Sequence, residues 1–220
     1  MTSTPSNLRR VALVAALMAG SLLSACVPLA IGGAAVGGAM VATDRRTTGT
    51  QVEDQAIETK AGDAVSALFG DRAHINITSY NLIVLVTGEV PTDADKAAAY
   101  KAVAKIEHVR SVVNELAVMP VSSLSTRSND SYLTGKVKAS FFDASDISTN
   151  TIKVVTERGI VYLMGRVTET EAKRATDIAR SVSGVQKVVR VFEILTPAEA
   201  AALPHNAPAA NPAPAAVPAQ

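Results

Sequence analysis

The 220-residue sequence has no tryptophan, one cysteine and three histidines, and its aromatic content is only 4 %. A core built around large rings is therefore excluded, and packing must rest on aliphatic side chains. One Cys cannot close an intramolecular disulfide. With three His it cannot supply a Cys-rich four-ligand zinc site either. A dominant charge is missing as well: 21 Lys and Arg against 20 Asp and Glu leave a net +1, which excludes a wholly basic nucleic-acid-binding surface. No G-x-S-x-G elbow or phosphate-binding loop occurs, and His74, His108 and His205 fall in unrelated settings. The paired carboxylates Asp93/Asp95 and Glu169/Glu171 stand at repeat-related helix starts, where capping explains them better than acid–base work. The expectation is a protein without catalytic residues, cofactor or metal.

What is present begins with an export address. Arg9-Arg10 precede an apolar run from Val11 to Leu23, and small residues lead to the single Cys. That is the layout of a cleavable signal, too short to span a bilayer, for which ~20 apolar residues are needed. Leu23-Ser24-Ala25-Cys26 resembles the bacterial lipobox. The resemblance implies removal of residues 1–25, acylation of Cys26 and, because Val27 rather than Asp follows, delivery to the outer membrane facing the periplasm. Residues 26–52, with Gly32, Gly33, Gly37 and Gly38, read as a small-residue tether that closes with a polar exit at Asp44-Arg45-Arg46. At the other end, residues 196–220 hold six of the ten prolines and read as an extended, disordered Pro/Ala-rich tail.

The middle is one module written twice. Asp54 to Leu116 aligns with Asp130 to Phe192. Each copy starts with an amphipathic stretch at helical spacing: Ile57, Ala61, Val65, Leu68 in the first, and Leu133, Val137, Phe141 in the second. A β-branched run and a tight turn then lead into a stronger strand, Ile83 to Gly88 or Ile160 to Gly165, which predicts a hairpin. Thr92-x-x-Asp95 and Thr168-x-x-Glu171 place a hydroxyl three residues before a carboxylate and predict a capped second helix, burying Ala99, Val103, Ile106 or Ala175, Ala179, Val182. A last strand follows at Val109 to Val113 and Val185 to Val191.

The turn at Gly159, the run Ile160-Val161-Tyr162-Leu163-Met164-Gly165 and the segment Ser183-Gly184-Val185-Gln186-Lys187-Val188 resemble the BON domain of periplasmic bacterial proteins. The resemblance implies an α+β fold: two tandem BON-like αββαβ modules, each a three-stranded sheet packed by two helices. The expected boundaries are residues 53–118 and 129–195, with a linker over 119–128. In the first copy Leu82 stands where Gly159 does and His108 where Gly184 does, so two tight turns must use residues unwilling to take positive φ.

Charge separates the copies. The first carries six Lys/Arg against nine Asp/Glu, the second ten against seven, a split of −3 and +3. A basic module beside a membrane attracts anionic headgroups at about 1 kcal/mol per nearby Lys or Arg. On the first helix of the second copy, Tyr132 lies off the core stripe with Lys136 and Lys138 a turn later, and an amphipathic aromatic suits the headgroup boundary. The family resemblance implies phospholipid binding through this helix, so Tyr132, Lys136 and Lys138 are the candidate site for anionic phospholipids such as phosphatidylglycerol and cardiolipin. The rival reading is an adaptor that offers a sheet edge to periplasmic protein partners. Nucleic acid is not an expected partner, because neither copy has a GXXG loop.

Overall fold

The computed structural model describes residues 44–144 and 146–203. Cys26, the signal segment, most of the tether and the end of the tail lie outside the described residues. Helix α1 (Thr48–Phe69) leads to strands β1 (His74–Tyr80) and β2 (Ile83–Val90), helix α2 (Asp93–Val103) and strand β3 (Ser111–Asn114), followed by the short β4 (Ala117–Val118). The second copy repeats the order with α3 (Leu124–Asp143), β5 (Ile152–Glu157), β6 (Ile160–Thr168), α4 (Glu169–Ser181) and β7 (Lys187–Leu195), and α5 (Pro197–Ala202) closes the chain described.

In each sheet the hairpin's second strand is central. β2 pairs antiparallel with β1 and parallel with β3, and β6 pairs in the same way with β5 and β7. The first sheet has one piece more than expected: β4 resumes the line of β3 and pairs with Glu89 and Val90 of β2. Alternation along the central strands divides their side chains. Val84, Val86 and Val90 pack with Ile57, Ala61, Val65 and Phe69 of α1, and Val161, Leu163 and Val167 pack with Leu133, Val137 and Phe141 of α3. Leu85, Tyr162 and Met164 point the other way and meet Tyr80 in a third apolar cluster. The two sheets therefore pack face to face, and the fold has four layers, helices outside and sheets within. Each copy, small for a self-sufficient core, gains a second buried face, which explains why β2 is buried at seven consecutive positions.

The tight turns form as the sequence demands. Asn81 and Leu82 take φ of 51° and 66°, and Arg158 and Gly159 take 52° and 70°. These are the two successive positive φ values of a type I′ hairpin. His108 takes 68° where Gly184 takes 102°. Both hairpins are held by a buried carboxylate on the preceding helix: Asp54 accepts from the N–H groups of Asn81 and Leu82, and Asp130 from those of Arg158 and Gly159, all at 2.8 Å. The capping pattern is also realised: Thr168 and Glu171 form a full box, while Thr92 accepts from the Asp95 N–H at 3.1 Å.

Several expectations are corrected. Leu68 is half exposed and Phe69 takes its place in the core, since Phe69 continues the four-residue step from Ile57, Ala61 and Val65. Ile106 follows α2 rather than belonging to it. Helix α1 begins inside the expected tether, capped by Thr47, and α3 begins inside the expected linker, capped by Ser123. Residues 197–202 of the expected extended tail are helical. Pro197 sits at the first helical position, where its missing N–H costs nothing, and Thr196 and Glu199 close a capping box ahead of alanines.

Candidate functional site

Helix α3 turns Asp130, Leu133, Val137 and Phe141 inward. At 100° per residue the opposite face carries Leu124 and Phe142, eighteen positions and five whole turns apart, about 27 Å along the axis. Tyr132 stands on the same outward half. These three are 76, 81 and 67 % exposed, and the outward positions between them are the small, exposed Ser128, Gly135 and Ala139. Lys136 and Lys138 fall on opposite flanks of this strip. The helix thus carries exposed Leu124, Tyr132 and Phe142 on its outward half, with Lys136 and Lys138 on either flank.

The structure brings Tyr132 and Lys136 together. The Lys136 ammonium lies 5.7 Å from the Tyr132 ring centroid and donates to the Ser183 carbonyl at 2.7 Å, beyond the end of α4. Lys136 is therefore partly committed to holding the helix and its aromatic, whereas Lys138 is exposed and, among the described residues, makes no ion pair. Leu124 and Phe142 were missing from the expected set. Leu124 was hidden in the supposed linker, and Phe142 was masked by its buried neighbour Phe141. Their separation of five helical turns was the signal that could have found them. Among the described residues no helix is long and apolar enough to cross a membrane.

Asp44-Arg45-Arg46, expected as a polar exit, is built into the fold. Arg45 donates to both carboxylate oxygens of Glu171 at 2.7 Å and to the Arg166 carbonyl at 2.9 Å. That guanidinium holds the Glu171 carboxyl down at about 2. Arg46 pairs with Asp44 and Asp54 at 2.7 and 2.8 Å and stacks 4.0 Å over the Tyr80 ring. Burial opposes its charge, but the two carboxylates outweigh burial and raise its pKa. Burial, reinforced by the Asp44 charge, likewise pushes the Tyr80 phenol up.

At another edge of the seam between the sheets, Asn76 donates to Glu157 at 2.8 Å, and Arg158 donates to Glu89 and to the Gly88 carbonyl at 3.0 and 2.9 Å. Burial raises the Glu157 pKa. His74 does not merely precede a strand: it opens β1 with its Nε2 3.9 Å from Glu157. His108 is an exposed turn residue beside Glu53 and Glu107, and His205 lies outside the described residues.

The family model described as "BON domain" matches residues 53–120 and 129–196. The chain is 42 % identical over 194 residues to Outer membrane lipoprotein DolP of Haemophilus influenzae, covering 87 % of this chain and 99 % of that protein. It is 33 % identical to the 21 kDa hemolysin of Actinobacillus pleuropneumoniae, covering 68 % of this chain and 78 % of that protein. Osmotically-inducible protein Y of Escherichia coli is 28 % identical, over 69 % of this chain and 77 % of that one. With the family model matched twice over most of its folded length, the chain belongs to the BON-domain family as a two-domain, DolP-like member.

Proposed function

We propose that this protein is a non-enzymatic outer-membrane lipoprotein, anchored in the periplasm-facing leaflet through acylated Cys26, that binds anionic phospholipid through the outward face of α3 and supports envelope integrity. The observation that carries this reading is the ridge of Leu124, Tyr132 and Phe142, three large apolar side chains left uncovered on one helix face and flanked by Lys136 and Lys138. Three large side chains exposed along one helix face, with small residues between them, support an interaction surface there. The basic character of the second copy selects an acidic membrane, and the headgroup boundary accommodates a tyrosine. Interface insertion gains from the apolar area buried and from the charge, so neither alone suffices. The relative named as an outer membrane lipoprotein supports the location.

The test is sedimentation of the chain from Thr43 onward, without its acyl anchor, with vesicles. Vesicles rich in phosphatidylglycerol or cardiolipin should pull the protein down, and added salt should weaken the binding as charges are screened. Equal sedimentation with neutral vesicles, or binding unchanged in a Leu124→Asp, Phe142→Asp double variant, would refute the reading. Retention of an envelope protein partner in place of lipid would favour the adaptor.

A further inference from the structure

Among the described residues, His74, Glu89 and Glu157 combine nitrogen and oxygen donors from both copies, with one donor atom of each within 4.8 Å of the other two. Glu89 and Glu157 are buried, at 0 and 2 % exposure. His74 and Glu89 are direct partners across the β1–β2 ladder, and Glu157 closes β5. Backbone pairing therefore fixes two of the donors relative to each other.

The internal repeat shows what this corner lacks. In the sequence alignment Arg46 corresponds to Ser122 and Asp54 to Asp130, while the hairpins match Tyr80 with Glu157. In the first copy the Arg46 guanidinium lies on Asp54 and covers Tyr80. In the second copy Ser122 brings no charge, and only its N–H reaches Glu89, at 3.2 Å. An acid stands in place of the tyrosine. Three buried carboxylates, Glu89, Asp130 and Glu157, meet here. Arg158 is bound to Glu89, and Arg127 spends an Nη on the Ser122 carbonyl. Buried carboxylates call for cations or metal.

A separate sign comes from Thr87. It lies across the ladder from Asn76, on the same face of β2 as Glu89, is 1 % exposed, and its Oγ1 has no hydrogen-bond partner among the described residues. A cavity of about 370 Å³ with His74, Asn76, Arg127, Asp130 and Glu157 in its wall opens two of the three donor residues, His74 and Glu157, to solvent. An orphaned buried hydroxyl on the same strand face as Glu89 is the setting in which an ordered water is held, and such a water can also serve a cation bound by the neighbouring donors.

We propose that His74, Glu89 and Glu157 bind one divalent transition-metal cation across the seam between the two BON copies, with water completing its coordination. One imidazole and two carboxylates suit zinc or manganese, whereas calcium asks for six or more oxygens. Donors around zinc stand ~3.4 Å apart at bond lengths of ~2.1 Å, so the three side chains draw together by about 1 Å on binding. The ion takes ligands from both copies and so ties one sheet to the other.

The test uses the full-length lipoprotein in detergent, stripped with a chelator and titrated with zinc, manganese or calcium against a chromogenic competitor. The expected result is one tightly held zinc per chain, no comparable calcium binding, and affinity at least tenfold weaker in His74→Ala and in Glu157→Gln. The glutamine keeps an acceptor for Asn76, so a metal-free melting curve like the wild type's shows that folding survives. Zinc should raise the melting temperature of the wild type and of His108→Ala, but not of His74→Ala. Absence of zinc binding overturns the proposal. So does binding that persists in His74→Ala, or that disappears in His108→Ala, where Glu53 and Glu107 offer a surface alternative.

Discussion

Arg45 and Glu171 are joined by two hydrogen bonds of 2.7 Å across 126 residues of sequence. The pair links the segment ahead of α1 directly to the N-terminus of α4 in the second copy. Its acid is also the third residue of that helix's capping box, so one carboxylate serves a local and a long-range contact.

Replacing Glu171 with Ala is expected to destabilise the fold by about 1–2 kcal/mol, because the Thr168 N–H loses its carboxylate acceptor while Thr168 still caps the helix. The bidentate, partly buried Arg45 pair adds to that loss at neutral pH. Urea unfolding monitored by circular dichroism measures the loss, and Arg45→Ala should cost less because it leaves the box intact.

The same carboxyl predicts a pH dependence. Its folded pKa is about 2, against 4.5 for the free side chain. A depressed carboxyl stabilises the fold above the unfolded pKa, and that contribution disappears as pH falls through the folded one. The stability difference between wild type and Glu171→Gln should therefore be constant above about pH 5 and shrink between about 4.5 and 2. A difference that persists unchanged at pH 2 would contradict this.

Two glycines test the hairpin geometry. A Cβ on Gly88 would stand 1.9 Å from the His74 carbonyl oxygen, and one on Gly165 would stand 2.5 Å from that of Thr151. Backbone cannot yield as a side-chain tip does, so Gly88→Ala and Gly165→Ala should each cost about 3 kcal/mol or more. Gly88 should be the worse, since it also holds φ of 117°. Thermal and urea melts of the two variants decide the order.

His108 offers the opposite test. It holds φ of 68° with a half-exposed ring, and the left-handed region costs a non-glycine residue ~1–2 kcal/mol. Glycine's greater freedom in the unfolded chain returns up to ~1 kcal/mol of that. His108→Gly should thus stabilise the protein by up to about 1 kcal/mol in urea unfolding.

The sequence carried the repeat, the order of elements and both awkward turns because each depends on neighbours a few residues apart: a Thr three before an acid, or Leu82 in the place of Gly159. It did not carry the stacking of the two sheets. Tyr80, Leu85, Tyr162 and Met164 sit in strands whose other face is also apolar, so the strands read as uniformly hydrophobic and concealed a second buried face. The buried arginines were equally hidden, because Asp44-Arg45-Arg46 reads as a solvated turn until Asp54, Tyr80 and Glu171 arrive from elsewhere in the chain. The placement of Tyr132, Lys136 and Lys138 off the buried face was legible from their offset to the Leu133–Val137–Phe141 stripe. Leu124 and Phe142 became visible only once the helix was seen to run 20 residues.

Nuclear magnetic resonance of the chain from Thr43 onward, titrated with phosphatidylglycerol micelles, tests the central claim most directly. Shifts concentrated at Leu124, Tyr132, Lys138 and Phe142, with little change along α1 and α2, are the predicted outcome. Shifts confined to the acidic first copy, or of equal size with neutral micelles, would contradict it.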